Sequence, residues 1–524
     1  MDLEAKRDRL RSGTVKPALR AAHSGSDQDM SQSPHKAPLI TSPFDDDKLH
    51  EECGVFGIIG TEDAAAHTAL GLHALQHRGQ EAAGITAFDG THFVSQRQLG
   101  HVADNFTSQK LIDTLKGHSA IGHVRYSTAG GSSMRNVQPL FADLATGGFA
   151  VSHNGNLTNA WHLRRQLVRH GSIFQSTSDS EVIIHLVATS TYRSLYDKLI
   201  DALRKIEGAY SLVILTRDGL FGMRDPLGVR PLVMGKLGDS HILCSETCAL
   251  DILGAHYVRE IEPGEIVIIS GEGSGQTVKS IKPFAPQNPR PCIFEHVYFS
   301  RPDSLVDGLS VYDVRKRIGA ELAREAPVDA DVVIPVPDSG VPAAIGYAAQ
   351  SGIPFELGII RNHYVGRTFI EPSDHIRHLG VRLKHNANRW QIEGKRVILV
   401  DDSIVRGTTS LKIVDMVRQA GAREVHMRIA SPPTRHSCFY GVDTPERSKL
   451  LAARMDIDAM RDYIHADSLA FVSIDGLYHA CLLPEGRNNQ QPQYCDACFS
   501  GDYPTHLTDQ ENDRDQELAL FVAP

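Results

Sequence analysis

The residues with the clearest chemical potential begin at a cysteine. Cys53 starts the apolar, glycine-punctuated segment CGVFGIIG and follows two acids, Glu51 and Glu52. A thiol at the start of a strand can act as a nucleophile, although a lone cysteine is more often a small buried residue. The question that this position raises is why 52 residues with little apolar periodicity precede it.

Three further short segments contain possible partners for such a nucleophile. Arg125 ends the strand-like part of GHVRYST, where a guanidinium can grip a carboxylate with two hydrogen bonds. Asn154 and Gly155 of SHNGNL are predicted at a strand-to-helix turn, where an amide and a backbone N–H can stabilise an oxyanion. Asp179 of TSDSE is predicted as a helix N-cap whose carboxylate can also meet an ammonium group. Each alone indicates a surface arginine, a turn or a cap, but together they predict a site for an amino acid and its acyl carbon.

A second chemical segment is VILVDDSIVRGTTS, residues 397–410, which begins as an apolar strand and ends as a helix. Asp401 and Asp402 end the strand, and adjacent acids can bind Mg²⁺ or ribose hydroxyls. Backbone N–H groups and hydroxyls at a helix N-terminus form a seat for phosphate. The loop and first helical turn contain Ser403, Arg406, Gly407, Thr408 and Thr409. The Walker A pattern is absent, and the alternative interpretation is a solvated turn.

Composition limits the classes to which the chain can belong. The 524 residues are 41% hydrophobic and 22% charged, with a formal net charge of −9 and eight cysteines. Such a length predicts roughly two to four domains, and the negative charge disfavours nucleic acid as a partner. We find no apolar run long enough for a membrane span and no secretory signal in MDLEAKRDRLRSG, so we expect a cytoplasmic protein with reduced cysteines.

The pattern of apolar segments divides the chain into four parts. Residues 1–52 are interpreted as a disordered leader, since they are rich in polar residues. Over residues 53–285, short strands that end at Gly, Asn or Asp alternate with a few helices, which predicts an α+β domain with antiparallel sheets. A proline-rich linker leads into residues 286–505, where buried strands alternate with helices, as in a doubly wound parallel α/β sheet. Residues 506–524 form an acidic tail that we expect to be loose.

The motifs of the first domain resemble those of a known family. CGVFGI, ALQHRGQEAAGI, GHVRYST, HNGNLTNA and SDSE are similar to the glutaminase domain of the N-terminal-nucleophile amidotransferases. The resemblance implies a four-layer αββα fold and a mature chain that begins at Cys53, with residues 1–52 removed as a propeptide. The freed α-amine, with an ordinary pKa of about 8, would activate the thiol. Asn154 and Gly155 would then hold the oxyanion, while Arg125 and Asp179 bind glutamine.

The second domain resembles the type I phosphoribosyltransferases. In that family the segment that matches VILVDDSIVRGTTS binds phosphoribosyl pyrophosphate, so the acid pair would face the ribose hydroxyls and Mg²⁺ while the loop holds the 5-phosphate. Ser339 of PVPDSG resembles a third magnesium position. The basic stretch 361–389 would form a lid that excludes water when it closes, with Arg367 and Lys384 in contact with the pyrophosphate.

Together, the two halves resemble the glutamine-dependent amidotransferases that act on phosphoribosyl pyrophosphate. The resemblance implies that ammonia released from glutamine passes through an internal channel to C1 of the sugar. The products would be 5-phosphoribosylamine, glutamate and pyrophosphate, the first step of purine synthesis. A homotetramer that purine nucleotides inhibit by feedback is also implied.

Four cysteines are scattered through the second half of the chain: Cys292, Cys438, Cys495 and Cys498. Spacing alone does not bring them together, and a single C-x-x-C is compatible with zinc, an iron–sulfur cluster, a redox pair or no ligand. Their contexts resemble the branch of the family that carries a structural [4Fe–4S] cluster. Four unrelated thiols and a zinc site are the alternatives.

Two rival functions are compatible with parts of the sequence. Amidotransferases of the hexosamine or asparagine-synthetase type share the first half, but they need a sugar-isomerase or ATP-pyrophosphatase domain in place of VILVDDSIVRGTTS. A regulator that only senses phosphoribosyl pyrophosphate would be expected to have a damaged glutaminase site. Both halves retain their predicted catalytic residues, which favours an enzyme.

Overall fold

The structure is a computed structural model that describes residues 50–51, 53–126, 133–271, 275–362 and 385–511. We refer to residues 53–281 as the first half and to residues 295–511 as the second half. In the described ranges, no helix combines the length and apolar character needed to cross a bilayer.

The first half contains two antiparallel sheets that pack face to face. From edge to edge, the seven strands of one sheet are His256–Glu260, Val233–Leu237, Ser240–Cys244, Cys53–Ile59, Ser119–Arg125, Ala82–Phe88 and Phe93–Leu99. The six strands of the other are Thr277–Ile281, Ile266–Ser270, Gly219–Arg224, Gly208–Thr216, Gly147–Leu157 and Leu140–Leu144. The sandwich explains why every residue of the strand Cys53–Ile59 is buried, since one face meets the second sheet and the other meets helices.

Helices cover both outer faces of this sandwich. Ala64–Ala74 and Cys248–Leu253 pack on the seven-stranded sheet. Ala160–Arg169, Ser180–Thr189 and Leu195–Leu203 pack on the six-stranded sheet. The short helices are Val102–Asn105 and Gln109–Ile112, with 3₁₀ turns at Gln76–Arg78 and Met134–Asn136. The predicted four-layer αββα order is confirmed.

The second half is built on a parallel sheet with helices on both faces. The strands, in spatial order, are Val332–Pro335, Arg396–Asp401, Glu424–Ile429 and Ser468–Phe471. Alternate residues of RVILVD point to opposite faces, so Ile398 and Val400 meet one core while Val397 and Leu399 meet the other. The helices Val311–Glu325 and Val341–Ser351 cover the first face, and Thr408–Gln419 and Ile457–Tyr463 cover the second. The predicted doubly wound sheet is confirmed.

Smaller elements complete the second half. Among the described residues, its remaining helices are Arg389–Ile392, Leu451–Arg454, Ile474–Ala480, Ala497–Ser500 and Thr508–Glu511, with a 3₁₀ turn at Arg447–Lys449 and a π-helical turn at Glu295–Phe299. Two short antiparallel pairs are Leu305–Val306 with Leu309–Ser310, and Ile359–Arg361 with His385–Ala387. A third pair joins His50–Glu51 to Val442–Asp443. The proposed domain boundaries stay predictions.

Candidate active sites

The sheet brings the candidate nucleophile and the candidate carboxylate ligand together. Cys53 is the first residue of its strand and pairs in register with Arg125 on the neighbouring antiparallel strand. Residues directly opposite each other in such a pair are close neighbours. Both are buried, with 8% and 6% of their surfaces exposed. A thiol and a guanidinium therefore share one end of the seven-stranded sheet, as the sequence predicts.

The candidate oxyanion residues lie on the other sheet and are connected to the nucleophile strand. Asn154 is fully buried, and its Nδ2 lies 3.4 Å from Ser245 Oγ. The same Ser245 hydroxyl accepts from the backbone N–H of Val55 at 3.0 Å, two residues after Cys53. Asn154 Oδ1 has no hydrogen-bond partner among the described residues. Ser245 therefore links the two predicted parts of the site, and no motif in the sequence pointed to it.

Gly155 has a backbone conformation and a packing environment that only glycine fits. Its φ is +139°, and a Cβ atom there would lie 2.1 Å from the carbonyl oxygen of Ala209. On another side, a Cβ at Gly441 would lie 3.0 Å from the Cα of Gly155. The predicted turn is therefore a strand end, since the strand continues to Leu157 and the next helix begins at Ala160.

We expect Gly155→Ala to lower glutamine hydrolysis by about 10²-fold, because the added methyl must displace the backbone N–H that is predicted to hold the oxyanion. The measurement is the kcat of glutamate release. Gly171→Ala is the matched control, since Gly171 also has a positive φ of +91° but a Cβ there meets no atom within 4 Å. Equal kcat values in the two variants would contradict the proposed position of Gly155.

Asp179 caps a helix and also contacts the strand Gly147–Leu157, which carries Asn154 and Gly155. One carboxylate oxygen accepts from the N–H of Ser180 at 2.8 Å, which confirms the predicted N-cap. The other oxygen accepts from the N–H of Leu157 at 3.0 Å. Asp179 thus fixes the helix Ser180–Thr189 against the strand that carries Asn154 and Gly155. Its side chain keeps 16% exposure, so the carboxylate is not sealed from a ligand.

A buried polar network around His153 holds the strand that carries Asn154 and Gly155. The N–H of His153 donates to Gln138 Oε1 at 2.8 Å, its carbonyl lies 3.0 Å from His123 Nε2, and its Nδ1 lies 3.0 Å from Ser180 Oγ. Burial lowers the pKa of His123 to about 3 and also lowers the pKa of His153. Both imidazoles are therefore neutral at pH 7 and act as fixed hydrogen-bonding supports. Sequence reasoning gave neither a role.

One loop of the second half lies against this site. Asn156 Nδ2 donates to the carbonyl of Phe439 at 3.0 Å, and Gly441 packs on Gly155. The next two residues, Val442 and Asp443, pair with the short strand His50–Glu51 that precedes Cys53. The loop Phe439–Asp443 thus contacts both the strand Gly147–Leu157 and the short strand His50–Glu51.

The second candidate site lies at the carboxyl edge of the parallel sheet. Asp401 and Asp402 are 2% and 1% exposed, and Asp401 Oδ1 accepts from the N–H of Asp402 at 2.9 Å. Ser339 follows the neighbouring strand, and its hydroxyl donates to Asp402 Oδ1 at 2.5 Å. The hydroxyl of Ser403 donates to the other oxygen at 2.6 Å. The structure therefore brings together the acid pair and the serine that the resemblance assigns to magnesium.

The predicted phosphate seat begins a helix. Gly407 has a φ of +82° and caps the helix Thr408–Gln419. The first-turn N–H groups of an α-helix have no partner in the helix itself, and helix N-termini therefore suit the binding of an anion. Thr408 is exposed and Thr409 is buried, while Arg406 is partly buried beside them. Arg367 and Lys384, the predicted lid residues, lie outside the described residues.

The donor set at this edge suits Mg²⁺ that is shared with a substrate. Among the described residues, no group of three or more His, Cys, Asp or Glu side chains is arranged to hold a metal ion alone. Mg²⁺ is usually bound by one or two carboxylates together with substrate phosphates and water. Asp401 and Asp402 with the Ser339 hydroxyl fit that arrangement.

The four scattered cysteines converge in one region. The backbones at Cys292 and Cys495 pair as an isolated parallel β-bridge. The N–H groups of Arg435 and His436, just before Cys438, donate to the carbonyl of Cys498 at 3.0 and 3.1 Å. Burial raises the pKa of Cys495 and Cys498, and the charges of the neighbouring thiols raise both further. Four cysteine thiolates are the usual ligand set of a [4Fe–4S] cluster, so the chemistry of these residues fits that group.

Comparisons with known proteins agree with this arrangement. Residues 123–251 match the family described as a glutamine amidotransferase domain, and residues 303–436 match a phosphoribosyl transferase domain. The two halves and their sites thus define a glutamine amidotransferase joined to a phosphoribosyltransferase.

Relatives of similar length narrow this class. The amidophosphoribosyltransferase of Rhizobium etli is 59% identical over 92% of this chain and 97% of its own. The amidophosphoribosyltransferase of Bacillus subtilis is 50% identical over 88% and 95%. The chain belongs to the amidophosphoribosyltransferase family.

Solved structures match over most of the chain as well. One, described as the allosteric regulatory enzyme of purine biosynthesis, has a TM-score of 0.82 and 49% identity, over 87% of this chain and 97% of that chain. Another is a Bacillus subtilis glutamine phosphoribosylpyrophosphate amidotransferase complexed with ADP and GMP. It has a TM-score of 0.81 and 48% identity over 87% and 98%.

Proposed function

We propose that this chain makes 5-phosphoribosylamine, glutamate and pyrophosphate from glutamine, phosphoribosyl pyrophosphate and water, as the first step of purine synthesis. The observation that carries the proposal is the presence of both sites in one chain. Cys53 lies opposite Arg125 in the first half, and Asp402 meets Ser339 in the second.

At the glutamine site, Arg125 binds the α-carboxylate and Asp179 the α-ammonium group. The α-amine of Cys53 takes the proton of the thiol, and the thiolate attacks the side-chain amide carbon. Asn154 Nδ2 and the N–H of Gly155 hold the resulting oxyanion. The protonated amine then gives its proton to the leaving ammonia, and water hydrolyses the thioester to glutamate.

At the acceptor site, the first turn of the helix Thr408–Gln419 and the hydroxyls of Ser403, Thr408 and Thr409 hold the 5-phosphate, with Arg406 and Gly407 shaping the loop. Asp401, Asp402 and Ser339 would hold Mg²⁺, which neutralises charge on the departing pyrophosphate when it is bound. Arg367 and Lys384 contact the pyrophosphate. Ammonia arrives through an internal channel and attacks C1 as positive charge develops there, so catalysis depends on positioning and electrostatics.

The remaining assignments concern structure and control. We assign the four converging cysteines to a structural [4Fe–4S] cluster, whose ligands are Cys292, Cys438, Cys495 and Cys498. Feedback by purine nucleotides is supported by the relative that was solved with ADP and GMP. A homotetramer is proposed from the family resemblance.

The experiment that tests the proposal is an intact mass with N-terminal sequencing of protein purified without oxygen. We expect a chain that begins at Cys53 and contains about four irons, because only a free α-amine can serve as the base. A chain that still begins at Met1 and yet releases glutamate from glutamine would overturn the mechanism. A zinc content of one per chain in place of iron would overturn the cluster assignment.

A further inference from the structure

Two arginines and two glutamates form a buried ion network between the halves. The guanidinium of Arg78 pairs with Glu246 through Nε and with Glu295 through Nη2, the latter at 2.7 Å. Arg230 Nη2 lies 2.5 Å from the other oxygen of Glu295. The side chains of all four are at most 1% exposed. Two positive and two negative charges thus neutralise one another away from water.

The network crosses from the first half into the second. Arg78, Arg230 and Glu246 belong to the first half, whereas Glu295 begins the π-helical turn Glu295–Phe299 of the second. The Ser300 hydroxyl donates to Glu295 at 2.5 Å.

Glu246 also accepts hydrogen bonds from both halves, because donors of the second half bind it in addition to Arg78. It accepts from the Ser304 hydroxyl at 2.7 Å and from the N–H of Arg301 at 2.9 Å, and both donors belong to the second half. Burial alone would raise its pKa, but the charges of Arg78 and His77 hold the pKa of Glu246 below its ordinary value. It therefore stays ionised, and the ion pair with Arg78 persists at neutral pH.

One end of the network touches the glutamine site through Gly79. A Cβ on Gly79 would lie 2.5 Å from the backbone nitrogen of Arg125, so the two backbones are in direct contact. The N–H of Glu81 donates to the carbonyl of Arg125 at 3.0 Å. The side chain of Gln76 donates to the carbonyl of Gly79 across the same turn. The turn that contains Arg78 therefore packs against the backbone of Arg125, whose guanidinium is proposed to bind glutamine.

The other end approaches the acceptor site through Arg315. This buried residue of the helix Val311–Glu325 donates to the carbonyls of Ser300 at 2.7 Å and His296 at 2.9 Å. Burial lowers the pKa of Arg315 to about 10, and Asp402 is the charge that opposes this most. The turn Glu295–Phe299 thus lies between Arg78 and Arg315, and the charge of Arg315 interacts with that of Asp402.

We propose that Glu295 is a positioning residue for the glutamine site: through Arg78 it holds the Gln76–Gly79 turn against Arg125, so that this site is complete only when the second half is docked. The inference rests on the proposed role of Arg125. Removing the charge of Glu295 leaves two buried arginines facing one carboxylate, Glu246, and a buried charge without its partner forces its surroundings to move. The turn at Arg78 is the part that can shift.

The test is Glu295→Gln in the full, mature, cluster-containing protein. The amide keeps the shape of the side chain and removes its charge. We expect the KM for glutamine to rise at least about tenfold, while synthesis from added ammonia stays within about twofold of the starting protein. Ammonia bypasses the glutamine site, so a general loss of structure would lower both rates. Ser300→Ala, which removes one donor to Glu295, is expected to shift the KM in the same direction by less.

The matched control is Glu265→Gln. Glu265 is also a buried glutamate, and it bonds to Arg259 at 2.7 Å and to the Ser280 hydroxyl at 2.5 Å, but it lies wholly inside the first half. Its KM for glutamine should not change.

An unchanged KM in a folded Glu295→Gln protein, or an equal fall of the glutamine and ammonia rates in Ser300→Ala, would overturn the inference. Arg125→Ala separates it from the proposed function. If that variant keeps its KM, the glutamine site itself is wrongly placed; if its KM rises while that of Glu295→Gln does not, only the role of Glu295 fails.

Discussion

Replacing Cys53 with alanine should abolish the synthesis of phosphoribosylamine from glutamine and leave synthesis from ammonia in place. The Cys53 thiol is the group that forms the covalent intermediate in the proposed mechanism, so the loss should be at least about 10³-fold in kcat. The acceptor site uses residues of the other half and does not need the thiol. The measurement is pyrophosphate release with glutamine or with ammonia as the nitrogen source.

Cys244→Ala is the control for this experiment. Cys244 is also fully buried and lies on the strand that pairs with Cys53–Ile59, with Cys244 opposite Phe56. Removing its sulfur should leave both activities near their starting values. Glutaminase activity that survives in the Cys53→Ala chain would contradict the assignment of the nucleophile.

Replacing Asp402 with asparagine should remove both activities together. Asp402 is almost completely buried, and its two oxygens accept from Ser339 and Ser403. The neutral amide is a poorer ligand for Mg²⁺ and cannot accept both hydroxyl hydrogen bonds in the same way. We expect a fall of about 10²-fold or more in pyrophosphate release from either nitrogen source, with a higher requirement for Mg²⁺.

Asp331→Asn makes the same charge change at the opposite edge of the same sheet. Asp331 precedes the strand Val332–Pro335 and pairs with Arg396 at 2.7 Å. Its loss should affect stability slightly and the Mg²⁺ requirement not at all, since exposed ion pairs contribute little. An Asp402→Asn protein with a normal Mg²⁺ titration would show that the metal is held elsewhere.

The parts of both sites that lie at the ends of regular elements could be predicted from the sequence. The continuous apolar run in RVILVD predicts a strand buried on both faces, so Asp401 and Asp402 were expected at its carboxyl edge. A serine and an acid before an apolar helical run predicted Asp179 as a cap, and the structure shows that cap. Local periodicity and capping chemistry contain this information.

The residues that join distant segments could not be predicted in this way. Ser245 contacts Val55 across 190 positions, and Arg78 contacts Glu295 across 217. Many arginines and serines in the sequence have the same local context, and only the packing of the two sheets and of the two halves selects these partners. The prediction of a turn at Asn154 missed the continuing strand for the same reason, because its pairing with the strand Gly208–Thr216 is long-range.

The proposed cut before Cys53 would change the role of the pairing between His50–Glu51 and Val442–Asp443. The cut would free His50–Glu51 to leave, and Val442–Asp443 would then have an unpaired strand edge beside the proposed glutamine site. Exposed edges are places where foreign strands add and aggregation begins, and proteins limit the risk by keeping them short. A two-residue edge is too short to pair stably with a foreign strand. The processed protein would therefore expose the region beside Cys53 to solvent without creating an aggregation-prone edge.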